Sequence, residues 1–137
     1  MGVEAMITVV PRSEYRKRRR KQDLPRFEIV QWGDLEDALE EIGTPVRMAL
    51  RGNQLVSHQD PDYNFFIVTP ALAKKISKAL STIPHEELLA VIHEQRKKHG
   101  TRLRKHEHKY ALAAFETLKE AYQMASRQGA YLEILFD

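Results

Sequence analysis

The segment from Ala111 to Phe136 constrains the fold more than any other part of this chain. Apolar residues Ala111, Ala114, Phe115, Leu118, Ala121, Tyr122 and Ala125 recur every three or four positions, the signature of one buried helix face. Gly129 follows as a helix stop, because glycine takes a left-handed backbone at little cost. Ala130 to Phe136 then read as a short, mostly apolar strand. A helix–glycine–strand unit of this kind needs a sheet to join and further elements to cover it. It sets the architecture and names no reaction.

The rest of the chain alternates in the same way. Val3, Ala5, Ile7 and Val9 form a period-two face, so residues 2–10 read as a first strand ended by Pro11. Residues 26–32 read as a second, weaker strand. Asp34 is placed to cap a short helix carrying Leu35, Ala38, Leu39 and Ile42 on one side and closing at Gly43. A further short helix is expected over Val46 to Leu50. Val56 to Asn64 is rich in turn residues and reads as a loop. Phe65 to Val68 is apolar without alternation, which predicts a central strand covered on both faces. Thr69-Pro70 is a helix start, an N-cap hydroxyl followed by proline at the first helical position. Pro84 opens another helix that ends near Gly100, and the last helix runs from about Thr101 to Gln128. No repeat or low-complexity linker interrupts this pattern. The reading is a single α+β domain over residues 1–137, with a small sheet of three or four strands that includes the first strand, the Phe65–Val68 strand and the last.

A chain of 137 residues can bury roughly two-thirds of its unfolded surface, so a self-sufficient core is expected. There are no cysteines, which removes disulfides and thiolate zinc sites and suits a cytoplasmic protein. Apolar runs fall far short of the ~20 residues that span a bilayer, and the N-terminus makes a poor signal peptide. No membrane association is expected, and the sequence does not disclose an oligomeric state.

Charge is the sharper clue to partners. Residues 12–26 carry Arg12, Arg16, Lys17, Arg18, Arg19, Arg20, Lys21 and Arg26, a segment read as a candidate mobile arm. Residues 96–109 carry Arg96, Lys97, Lys98, Arg102, Arg104, Lys105 and Lys109, with His99, His106 and His108 interleaved. Between the two lies an acidic helix with Asp34, Glu36, Asp37, Glu40 and Glu41. Basic clusters of this kind serve either as solvated surface, with some pairing to the acidic helix, or as a patch for phosphates or an acidic protein. No aromatic residue lies within 16–26, so phosphate contact without base stacking is the form expected there. The candidate partner-binding residues are Arg16 to Lys21 together with Arg102, Arg104 and Lys105.

Catalytic and metal signatures are thin. GxSxG, GxGxxG, phosphate-loop and HExxH patterns are all absent. On a helix, His106 and His108 point about 200° apart, and His99 joins His106 on one face only if a helix crosses Gly100. No metal or cofactor is expected, and no catalytic residue is assigned. The alternative site is a loop pocket of His58, Asp60, Asp62 and Tyr63 with Trp32, where a histidine near carboxylates suits general-base work. Turn chemistry, with the aspartates satisfying local backbone amides, is the stronger account of Asp60-Pro61-Asp62.

Three segments together resemble the YfbM-like family of small bacterial proteins. They are Met1-Gly2 through Pro11 to Tyr15, Ile67 to Pro70 through Ile83 to Leu88, and Phe115 to Lys119 through Gly129 to Leu132. The chain departs from the family pattern in the basic run Arg16 to Lys21 and in the basic segment before its last helix. The resemblance implies the α+β architecture and brings no activity, cofactor or site residue with it. The combined reading is a non-enzymatic bacterial binding protein, an inhibitor or immunity-type protein being one version, whose basic surface meets an acidic protein or nucleic acid. A small enzyme or ligand-binding protein using the His58–Tyr63 loop is the alternative.

Overall fold

The computed structural model describes residues 4–15, 23–50, 54–57 and 64–136. Strand β1 (Glu4–Val10) leads to a single helical turn α1 (Arg12–Tyr15), then β2 (Arg26–Val30), α2 (Gly33–Ile42) and a 3-10 turn at Val46–Met48. Strands β3 (Gln54–Ser57) and β4 (Asn64–Val68) precede helices α3 (Pro70–Leu80), α4 (His85–Lys98) and α5 (Lys105–Gln128), and β5 (Tyr131–Phe136) comes last. All strand pairs are antiparallel, in the order β2-β1-β5-β4-β3.

The α+β architecture, the long helix and its closing strand are as the sequence implies. All seven apolar positions of the periodic face on α5 are buried, and Gly129 takes a left-handed φ of 61° behind it. Beneath the helices, Ala5, Ile7 and Val9 of β1 and Leu132 and Ile134 of β5 supply the sheet's core face. Tyr122, wholly buried, donates its hydroxyl to the Ala49 carbonyl at 2.5 Å and so ties α5 to the 3-10 turn. Burial pushes this phenol's proton affinity well up, because an unsolvated phenolate is costly.

Several boundaries differ from the sequence reading, each for a physical reason. The sheet has five strands rather than three or four, because Gln54–Ser57 pairs with Asn64–Ile67. Val56, Ser57 and Asn64 are therefore strand and not loop; the turn-forming residues that masked this lie between them. β4 is interior, and Ile67 and Val68, on opposite faces, are only 5% and 0% exposed. The middle position nonetheless belongs to β5, which pairs on both sides. β2 ends at Val30 because Gln31 takes a left-handed φ of 55° and turns the chain into α2. Asp34 does not cap α2: Trp32 holds the N-cap position with no capping bond from its side chain to the helix, and the Asp34 carboxylate is engaged elsewhere. α5 starts at Lys105, not Thr101, and Gly100 at φ 73° breaks the path from α4, so His99 and His106 share no helix.

Both ends of the basic 12–26 segment are held. Arg12 donates from Nε to the Gly129 carbonyl at 3.0 Å, Tyr15 stacks on Tyr131 with ring centroids 3.7 Å apart, and Arg26 pairs with Thr8.

Candidate functional site

The described part of the candidate basic surface is the turn between α4 and α5, and its backbone is tightly specified. Arg96, Lys97 and Lys98 fill the last turn of α4, where the helix dipole favours cations. Beyond Gly100, the chain folds back so that the Thr101 N–H and hydroxyl both donate to the Arg96 carbonyl, at 2.8 and 3.2 Å. Leu103 is buried and pins the turn to the core. Glu107, in the first turn of α5, accepts from the Arg104 N–H at 3.1 Å and satisfies one of the open donors of that helix end.

Arg96 fastens this turn to the acidic helix. Its Nε donates to Asp34 Oδ1 at 3.0 Å and one terminal nitrogen to Asp34 Oδ2 at 2.7 Å, a two-pronged pair, and the same nitrogen reaches Glu107 Oε2 at 2.5 Å. The Asp34 bond, then the one to Glu107, outweighs partial burial and holds the Arg96 proton more firmly still. The Arg104 N–H, followed by the Arg96 guanidinium, holds the Glu107 carboxyl below its usual range. One carboxylate thus serves a helix cap and an ion pair at once.

Arg96 is therefore occupied. Lys97, Lys98, Arg102, Arg104 and Lys105 are exposed and make no ion pair among the described residues. Of the basic residues singled out from sequence, Arg102, Arg104 and Lys105 thus share this turn. Arg16, Lys17, Arg18, Arg19, Arg20 and Lys21 lie outside the described residues. So do His58, Asp60, Asp62 and Tyr63 of the alternative pocket. Trp32 is half-buried and packs against the Phe136 ring at 4.6 Å, which makes it an anchor between β5 and the start of α2.

The histidines are dispersed. His93 of α4 and His108 of α5 meet edge to face at 4.9 Å, while His85 bonds Glu116 at 2.6 Å, with Lys119 on the same carboxylate oxygen at 3.1 Å. Among the described residues, no group of three or more His, Asp or Glu is placed to hold a metal ion. No described helix is long and apolar enough to cross a membrane. Sequence reasoning missed the Asp34–Arg96–Glu107 cluster and a cleft of about 350 Å³ beside it, lined by Gln31, Asp34, Asp37, Arg96, Glu107 and Tyr110. The one local signal was the three-residue spacing of Arg104 and Glu107 at a helix start.

A five-stranded antiparallel sheet covered by helices, with a braced basic turn, defines a small α+β protein. The same fold is seen in YfbM from Escherichia coli, a protein of unknown function, at a TM-score of 0.69 over 98% of this chain and 99% of that one, with 15% identity. The family model for the domain of unknown function DUF1877 matches residues 14–134, and the chain belongs to that family. No curated protein matches the chain.

Proposed function

We propose that this protein is a non-enzymatic binding module that engages an acidic partner through the exposed basic side chains of the α4–α5 turn. One observation carries the reading: Lys97, Lys98, Arg102, Arg104 and Lys105 make no ion pair among the described residues, on a backbone that Arg96, Thr101 and Glu107 hold in place. A surface cation already paired offers little to a partner. One held unpaired on an ordered turn costs less entropy to engage. Nucleic acid phosphates and acidic protein surfaces both suit such a turn.

The test is fluorescence anisotropy of labelled DNA and RNA across a salt series, run beside a labelled poly-glutamate peptide. Binding is expected to fall linearly in log–log form with salt. Charge reversal at Arg102, Arg104 and Lys105 should flatten the slope by up to about 0.9 for each duplex phosphate no longer neutralised. Binding to the peptide alone assigns the turn to acidic proteins. No binding to any of the three at low salt overturns the proposal.

A further inference from the structure

Strand β2 forms one edge of the sheet: β1 pairs with one side of it and no described strand with the other. The Val9 N–H donates to the Pro25 carbonyl at 2.9 Å. Backbone groups alternate along an antiparallel strand, so Pro25, Phe27 and Ile29 turn theirs toward β1. Arg26, Glu28 and Val30 turn theirs to the open edge. All three side chains are exposed, Val30 to 44%. Below the edge, a groove of about 420 Å³ runs between β2 and α5, lined by Phe27, Glu120, Gln123, Met124, Arg127 and Gln128.

We propose that a second copy of this chain docks on this edge, β2 against β2 and antiparallel, about a two-fold axis through the paired Phe27 residues. Charges on an edge strand ordinarily prevent such pairing. Here their order permits one register. With Phe27 opposite the partner's Phe27, Arg26 faces the partner's Glu28 and Glu28 faces the partner's Arg26. Sliding by one residue puts apolar and charged faces together, and sliding by two sets Arg26 or Glu28 against its own copy. In the permitted register the outward backbone groups of Arg26 and Glu28 bond each other, and Pro25, which has no N–H, needs none there. Val30 meets the partner's Leu24, which covers its exposed side chain.

The helix layer agrees independently. α5 packs on β1 and β2, and Glu120 and Arg127, both lining the groove, are equally spaced in sequence about Gln123 and Met124. Both are exposed and neither is ion-paired among the described residues. The same two-fold axis brings Glu120 toward the partner's Arg127, and Arg127 toward the partner's Glu120. It closes the two grooves on each other around Phe27 and Met124.

Sedimentation analysis of the full chain over a concentration series tests this. The wild-type protein is expected to reach twice its 15.9 kDa mass. R26E and E28R each set like charges opposite, and each should weaken dimerisation roughly tenfold or more. An equimolar mixture of R26E and E28R restores both opposite-charge pairs and should recover the dimer, as should the double variant R26E/E28R. Both side chains are exposed, so circular dichroism is expected to stay unchanged. A monomeric wild type at every concentration overturns the proposal. So does a dimer indifferent to the single variants, or a mixture that fails to re-form it.

Discussion

The guanidinium of Arg96 ties three helices together, joining its own α4 to Asp34 of α2 and Glu107 of α5. Its side chain is 24% exposed and that of Glu107 is 22%, so the network lies between a surface pair and a buried one. Arg96→Ala leaves two carboxylates facing a cleft and is expected to cost about 1–3 kcal/mol in urea unfolding. The network also imposes a pH dependence. Glu107 ionises in the folded protein below its ordinary value of 4.5, so its contribution is complete above that pH. It is lost as pH falls through the lowered folded value. Glu107→Gln should remove this component of acid sensitivity. Arg96→Ala should only reduce it, because the Arg104 N–H, the larger cause, remains. Unfolding midpoints measured from pH 2 to 6 distinguish the two. The spacing of Arg104 and Glu107 was legible in the sequence, but the Arg96–Asp34 pair was not, since the two are 62 positions apart and no local pattern links them.

At the scale of elements, legibility followed the range of the signal. The apolar face of α5, the Gly129 stop and the Thr69-Pro70 start depend on neighbours within one or two turns, and all three stand in the structure. Asp34 carries an equally good local signal for capping, but a guanidinium from another helix competes for the carboxylate and wins two bonds from it. β3 was hidden because its short run of residues merges with the turn formers that follow it, and only pairing with β4 defines it. Thr69 shows what a successful cap contributes. Its Oγ1 accepts from the Leu72 N–H at 3.4 Å, a long bond, so Thr69→Ala should cost toward the lower end of the ~0.5–2 kcal/mol range for caps. Thr69→Ser keeps the acceptor and should be nearly neutral in the same urea titration. Equal losses for both variants would place the contribution in the threonine methyl group instead.

At the scale of the molecule, the strand order is what periodicity could not supply. The apolar run of β4 marks it as covered on both faces, but which strand sits in the middle depends on pairings across the whole chain. The order β2-β1-β5-β4-β3 makes β5 the only described link between the β1–β2 and β3–β4 pairs. Ile134 lies at its centre, wholly buried, opposite Ile7 on one side and Phe66 on the other. Opening β5 therefore separates the two halves of the sheet, and its paired amides should exchange with solvent only through global unfolding. The edge strands β2 and β3 can fray without it and should exchange faster. Ile134→Ala is expected to cost about 2–4 kcal/mol. Hydrogen exchange should then accelerate roughly thirtyfold or more, by the same factor at the slowest amides of β1, β4 and β5. Acceleration confined to one of the two pairs would show that each half of the sheet holds together without the other.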